Sequence, residues 1–120
     1  MTQYIHINKP EIGGVTLALY EDDGVVHVGA SFCSPSENSF SRKRGREIAS
    51  GRLEARRHGY VAHTIDDGSD VRDLHENHEQ VHAILKRLEA APYQRRMAGG
   101  PIWWKHFLEA HYIEDVIPAR

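Results

Sequence analysis

The sequence predicts an α+β fold: an N-terminal antiparallel β-meander, a basic helix packed on it, a fourth strand and C-terminal helices. The first third of the chain contains runs of β-branched and aromatic residues separated by turn residues, whereas the period of the apolar residues becomes helical after about Phe40. A length of 120 residues with one cysteine, Cys33, is typical of a single domain without a disulfide framework.

Three strands of the meander are predicted from alternating or β-rich segments, which are Gln3 to Asn8, Val15 to Tyr20 and Val25 to Phe32. The segment from Lys9 to Gly14 is predicted to be a turn. Asp23-Gly24 is a strong signal for a tight hairpin between the second and third strands. In the third strand, Phe32 shares one face with Val26 and Val28. The small residues Gly29 and Ser31 lie on the other face, where they could let the helix at Gly45 and Ala49 pack closely across the sheet.

The stretch from Ser34 to Arg57 differs from the rest of the chain in charge. It contains seven of the fifteen Lys and Arg residues but three of the seventeen Asp and Glu residues. This local positive excess indicates an anionic partner. From about Phe40 to Arg57 the stretch is predicted to be helical, with Gly45, Ile48, Ala49 and Leu53 on the side away from the polar residues.

The start of this helix has the composition of a phosphate-binding site. Short polar side chains able to cap a helix precede it, at Ser34, Ser36, Asn38 and Ser39. Free N–H groups at a helix N-terminus, together with nearby arginines, favour phosphate groups. The sequence matches neither the G-x-x-x-x-G-K-[ST] loop nor the G-x-G-x-x-G fingerprint, so no motif supports a nucleotide hydrolase or a dinucleotide fold.

Arg52 has two interpretations, because it falls among the small and apolar residues of the helix. Its aliphatic stem could lie on the sheet while its guanidinium reaches a surface carboxylate, which is a structural role. Alternatively, Arg52 joins Arg42 and Arg46 in a phosphate pocket.

The second half of the chain is predicted to contain a strand and further helices. The strand is Tyr60 to Ile65, and a helix capped by Ser69 or Asp70 is expected to continue to Ala91-Pro92. Its apolar residues are expected in the core, namely Val71, Leu74, Val81, Ile84, Leu85 and Leu88. Of the adjacent Trp103 and Trp104, one is expected in the core, and His111 to Ile117 could form a closing strand.

A metal site and a catalytic site have no convincing pattern. His75, His78 and His82 occupy two turns of the predicted helix, but the H-E-x-x-H spacing of zinc proteases is absent. No nucleophile and base pair can be assigned from spacing, and Cys33 is most simply a small apolar group. We therefore expect neither a metal nor a cofactor, and no enzymatic activity.

The segment SFCSP at 31–35, followed by FSRKRGREIASGR at 40–52, resembles the phage Thoeris anti-defence sponges of the first type described. The resemblance implies a catalytically inert oligomer in the host cytoplasm. Such a protein sequesters cyclic ADP-ribose-type immune signals and, in some members, cyclic oligonucleotides of the kind used in CBASS defence. It suggests ligand contacts from Phe32, Ser34, Ser36, Asn38, Phe40, Arg42, Arg46 and Arg52, with Arg95 and Arg96 as candidates to close the pocket from a partner chain.

Two other functions remain open. A nucleic-acid-binding module could lay the helix at 40–57 against phosphates, although a sequence pI near 6.5 is lower than expected for such a domain. The basic patch could instead contact a protein, as in an inhibitor of a defence enzyme. No apolar run approaches a membrane span and no signal-peptide core is evident, so a soluble cytoplasmic protein is expected.

Overall fold

The computed structural model describes residues 2–9, 13–33, 41–57, 59–88, 104, 105 and 107–109. Its centre is a four-stranded antiparallel sheet with strand order β1-β2-β3-β4. The strands are β1 (Gln3–Lys9), β2 (Gly13–Asp22), β3 (Val25–Cys33) and β4 (Tyr60–Thr64). Helix α1 (Arg42–Ala55) connects β3 to β4, which confirms the predicted α+β arrangement.

The predicted hairpin between β2 and β3 is confirmed. Asp22 pairs with Val25, so the loop consists of Asp23 and Gly24 alone. Both loop residues have positive φ, 53° and 80°, as a tight turn that follows the twist of the strands requires. The predicted turn at Lys9 to Gly14 was too long, because Lys9 ends β1 and Gly13 begins β2.

The two faces of the sheet carry different layers. Val15, Leu17 and Leu19 of β2 face the main core, with Val26, Val28 and Ala30 of β3 beside them. The alternate residues face α1, where Ala18 packs with Ala49, Leu53 and Tyr60. The period of two in the strands therefore assigns one face to α1 and the other to the later helices.

Helix α1 lies close to the sheet at two glycines. A side chain at Gly29 would meet the carbonyl oxygen of Ala49 and, at 2.8 Å, the Cα of Leu53. A side chain at Gly45 would collide with the hydroxyl of Thr16. The predicted close packing of Gly29 against the helix is confirmed, whereas Gly45 packs over Thr16 of β2.

The bounds of α1 differ slightly from the prediction. Its N-cap is Ser41, whose hydroxyl accepts a hydrogen bond from the backbone N–H of Arg44 at 3.2 Å. The helix ends at Ala55, where Arg56 adopts a left-handed conformation with φ 51° and donates its N–H to the carbonyl of Arg52. The candidate caps from Ser34 to Ser39 lie outside the described residues.

The helix predicted to start near Asp70 is divided in two. Asp70 caps a 3-10 helix, Val71–Glu76, and α2 (His78–Leu88) follows after Asn77. Asn77 accounts for the break, because its Oδ1 accepts from the backbone N–H of Gln80 while its Nδ2 donates to Ser69 and Asp67. A side chain that accepts from the backbone N–H three residues later caps a helix and favours its start.

Buried polar residues join β4 to α2. His63 Nε2 lies 2.6 Å from Gln80 Oε1, and Gln80 Nε2 donates to Asp67 Oδ2 at 3.1 Å. Because the amide NH₂ of Gln80 is directed at the carboxylate, its oxygen faces His63, and the histidine donates from Nε2.

The main core contains the apolar residues predicted for the second half. Leu74, Ile84, Leu85 and Leu88 are fully buried, Val81 is almost so, and Val71 packs against them. Trp104 is the core tryptophan: it stacks on Phe107 and meets Phe32 edge-on. Trp103 and the possible strand from His111 to Ile117 lie outside the described residues. No helix in the described part of the chain has the length and apolar character needed to cross a membrane.

Candidate anion-binding site at the β1 edge

The register of the sheet determines which backbone groups of β1 point outward. The N–H of Ala30 donates to the carbonyl of Gly59 at 2.9 Å, on the β4 side, so the backbone of Ala30 points away from β2. Its partner Leu17 therefore directs its own N–H and C=O to β1, where it pairs with Ile5. Antiparallel pairs alternate between bonded and non-bonded.

It follows that every second residue of β1 turns its backbone away from β2. These residues are Tyr4, His6 and Asn8, and among the described strands β1 pairs with β2 alone. Their side chains share the α1 face of the sheet. The 2.9 Å contact between His6 Nδ1 and Thr16 Oγ1 agrees with this assignment, because side chains of a non-bonded pair approach each other closely.

Two arginines of α1 lie near His6. Burial is the main cause of a lowered pKa at His6, and the positive charges of Arg42 and then Arg46 lower it further. A charge has such an effect on a pKa only when it lies within about 10 Å of the titrating group, here the His6 ring. Both arginines therefore act electrostatically on His6, and Arg42 is the one of the two that lines the described cleft.

A cleft of about 480 Å³ runs along this strand. Six consecutive residues of β1, from Tyr4 to Lys9, line it together with Arg42 from the α1 side. The opposite side is formed by His75, His78 and Val81. The described lining contains Lys9, Arg42 and three histidines but no Asp or Glu, so the cleft is electrostatically suited to an anion.

The N-terminus of α1 adds to this field. Its first turn contains Arg42, Lys43 and Arg44 and no acidic residue. Cationic side chains at the N-terminus of a helix interact unfavourably with the positive end of the helix dipole. A bound anion would offset this repulsion. Arg42 belongs both to this first turn and to the lining of the cleft, so the helix end and the cleft form one electropositive region.

Arg52 lies elsewhere. Its Nη1 donates to the carbonyl oxygen of Ala30 at 2.8 Å, at the point where β4 begins and β3 extends beyond it. The predicted structural partner was a surface carboxylate, and the observed one is a backbone carbonyl. β3 is two strands from β1, roughly 10 Å at the usual spacing, so Arg52 is not part of the group formed by Arg42 and Arg46.

Phe32 is also separated from these arginines. Its side chain belongs to the core face and contacts Trp104, with ring centroids 4.9 Å apart. An aromatic residue that does line the cleft is Tyr4, whose side chain is 38% exposed and whose hydroxyl lies 2.6 Å from Ser50 Oγ. The other predicted ligand residues lie outside the described residues, namely Ser34, Ser36, Asn38, Phe40, Arg95 and Arg96.

The histidines considered for a metal are not gathered into a ligand set. Within the described residues, no group of three or more His, Cys, Asp or Glu side chains could hold a metal ion. His75 and His78 line the cleft, whereas His82 is partly buried and has a lowered pKa, caused mainly by burial and then by Lys86 and His78.

The sequence argument missed Tyr4, His6, Asn8 and Lys9 as cleft residues. The alternation of residues in β1 places Tyr4 and His6 on the face opposite Ile5 and Ile7. The close approach of Gly45 to the sheet had suggested that a helix covers that face. What the sequence did not provide is the direction of α1, which packs on β2 and β3 and places Arg42 of its first turn beside β1.

Comparisons with models of protein families, with curated proteins and with solved structures gave no match to this chain.

Proposed function

We propose that this protein binds a small phosphate-bearing signal nucleotide, of the cyclic ADP-ribose or cyclic oligonucleotide class, and sequesters it without cleaving it. The observation that carries the proposal is the cleft at the β1 edge, whose described lining contains no Asp or Glu and to which the first turn of α1 contributes Arg42. Its volume lies in the range of small-molecule sites.

The proposal assigns the phosphate groups to the α1 side of the cleft. Arg42 supplies charge-assisted hydrogen bonds, and Arg46 and the helix dipole supply long-range attraction. Tyr4 offers an aromatic surface for a base, a role that the resemblance had suggested for Phe32 or Phe40. The site binds by charge and stacking, and no residue in it is assigned a catalytic step.

The resemblance to the anti-defence sponges supplies the signal class and the expectation of an oligomer. A pocket closed by a second chain suits a small protein, since 120 residues leave little room for a fully enclosed cavity. We therefore expect light scattering to show at least a dimer at micromolar concentration.

The test is calorimetric binding of cyclic ADP-ribose isomers and cyclic trinucleotides to the wild-type protein and to Arg42→Ala and Arg46→Ala. Loss of a charge-assisted hydrogen bond costs about 1.5 to 3 kcal/mol, so Arg42→Ala is expected to weaken binding roughly tenfold to a hundredfold. Arg46→Ala removes a more distant charge and is expected to have a smaller effect.

Arg87→Ala is the matched control, because Arg87 is exposed on α2 and does not line the cleft. Circular dichroism should show that all three variants are folded. The proposal fails if no ligand of the panel binds at about 100 μM, a free energy of roughly −5.5 kcal/mol. Recovery of a hydrolysed ligand after heat denaturation would instead identify an enzyme.

A further inference from the structure

We propose that Ser50 is a positioning residue of the cleft at the β1 edge, which holds the ring of Tyr4 as a fixed surface for the base of the ligand. The inference rests on the proposed function, because it concerns the same cleft, and it adds the residue that sets the selectivity for an aromatic base. Ser50 is not among the residues that line the described cleft, so it acts through Tyr4.

The side chain of Tyr4 is held at both ends by different elements. Its hydroxyl lies 2.6 Å from the Oγ of Ser50 on α1, a usual distance for a hydrogen bond between two hydroxyl groups. Its backbone belongs to β1, where it pairs with Ala18 of β2. Tyr4 lines the cleft and is 38% exposed, and a ring as exposed as this can change rotamer unless its tip is held. The bond to Ser50 therefore restricts the ring to few orientations.

The strength of this bond favours a role in orientation over a role in stability. The two hydroxyl groups are exposed, so water can replace either partner, and the net contribution of such a bond to the free energy of unfolding is small. Its effect on binding is different, because a side chain that is already ordered loses no freedom when the ligand arrives. Ordering one side chain on binding otherwise weakens affinity roughly twofold to tenfold.

Ser50 lies on the same side of α1 as the two arginines that act on His6. Arg42, Arg46 and Ser50 are spaced by four residues, and residues at this spacing are neighbours on a helix surface. At a rise of about 1.5 Å per residue, Ser50 lies about 6 Å from Arg46 and about 12 Å from Arg42 along the helix axis. The base end and the phosphate end of the cleft are therefore well separated, which favours a ligand with at least two phosphate groups over a nucleoside monophosphate.

Calorimetry with two probes tests the positioning role. Cyclic ADP-ribose carries a base and two phosphates, whereas inorganic pyrophosphate carries the phosphates alone. Ser50→Ala and Tyr4→Phe each remove the bond, so each should weaken binding of cyclic ADP-ribose twofold to tenfold and leave binding of pyrophosphate unchanged. A displaced helix would weaken both probes, because Arg42 belongs to the same helix. Ser50→Thr keeps the hydroxyl and should bind both probes like the wild type.

A double variant shows whether the two hydroxyl groups act as a pair. Because Ser50→Ala and Tyr4→Phe remove the same bond, the protein with both changes should bind cyclic ADP-ribose no more weakly than the weaker single variant. Additive losses would overturn the proposal. Tyr20→Phe is the matched control, since Tyr20 is 40% exposed and does not line the described cleft, and it should leave the affinity unchanged.

A measurement without ligand separates this inference from the nucleotide proposal. In protein labelled with 3-fluorotyrosine, the fluorine NMR signal of Tyr4 is the one that Tyr4→Phe removes. Ser50→Ala should shift and narrow this signal, because the ring is released, and Ser50→Thr should keep the wild-type position. An unchanged Tyr4 signal in Ser50→Ala would overturn the positioning role. If the signal changes as expected but no nucleotide binds, the ring is held as proposed and the nucleotide function is what fails.

Discussion

Gly29 is the residue on which the packing of α1 depends most directly. A methyl group there would collide with the backbone of Ala49 and Leu53, which cannot move as a flexible side chain can. Overpacking of this kind costs about 1 to 3 kcal/mol. We therefore expect Gly29→Ala to lower the free energy of unfolding by at least that amount, as measured by urea denaturation.

Gly51→Ala is the natural control for this prediction. Gly51 is exposed within α1, and a side chain at this position meets nothing within 4 Å. Alanine in a helix is favoured over glycine by roughly 1 kcal/mol, so this change should stabilise the protein. If both substitutions had the same effect, the close approach of α1 to β3 would be wrong.

Phe32 and Arg52, which the structure places outside the predicted pocket, show how much a sequence argument can predict. The alternation of β3 already placed Phe32 on the face opposite Gly29, so the strand pattern itself separated it from a helix packed over Gly29. For Arg52, the helical period gave a correct half-buried position but not its partner. The Ala30 carbonyl needs a donor because β4 begins only at Tyr60, and this depends on the bounds of two distant strands.

At the level of elements, the strands and α1 could be predicted because each has a clear local pattern and punctuating turn residues. The break at Asn77 could not, because the apolar residues of the 3-10 helix and α2 all face one core and look like a single helix. The break is caused by side-chain bonds from Asn77 to the 66–69 turn, a contact between segments about ten residues apart.

Asn77→Ala tests this account of the break. The substitution removes the cap of Gln80 N–H at the start of α2, and also two donors to the turn. Loss of a capping side chain costs about 0.5 to 2 kcal/mol. We expect the free energy of unfolding to fall by that amount or slightly more. Asn77→Asp keeps the cap oxygen but places a charge beside Asp67, so it should not restore full stability.

The cleft itself is a tertiary feature, assembled from β1, the first turn of α1 and the residues on either side of Asn77. None of these segments has a binding motif of its own. The sequence indicated the positive charge of the helix, and it singled out the histidines, but for a metal. Their common position beside one strand depends on helices that cover opposite faces of the sheet and line the same cleft at its edge.

For the whole molecule, charge is divided between regions. The segment from Ser34 to Arg57 is positive, and the remaining residues contain fourteen of the seventeen acids. The near-neutral net charge therefore hides an uneven distribution of charge, which favours anions at one edge of the sheet. The acidic remainder of the chain is unfavourable for nucleic acid. We infer that such a distribution suits a small anionic ligand better than a long polyanion.

Stability of the molecule at low pH should depend on the turn that precedes the 3-10 helix. Hydrogen bonds from Ser69, first from its hydroxyl and then from its backbone N–H, lower the pKa of Asp67 to about 2 from its ordinary value of 3.8. A bonded ion pair with Arg72 lowers the pKa of Asp70 to about 2 as well. Both carboxylates bind protons more readily in the unfolded chain than in the folded one.

The sign of the pH effect follows from these lowered pKa values. The stabilising contribution of each carboxylate is complete well above pH 3.8 and is lost as the pH falls toward 2. We expect the free energy of unfolding, measured by urea denaturation, to fall between pH 5 and pH 2. Asp67→Asn should be less stable than wild type at pH 5 and should converge with it near pH 2. Asp66→Asn, which removes the same charge from an exposed neighbour, should leave the wild-type profile largely intact. If the difference in stability between Asp67→Asn and wild type stayed constant from pH 5 to pH 2, the substitution would act through altered hydrogen-bond geometry and not through the loss of an ionised carboxylate.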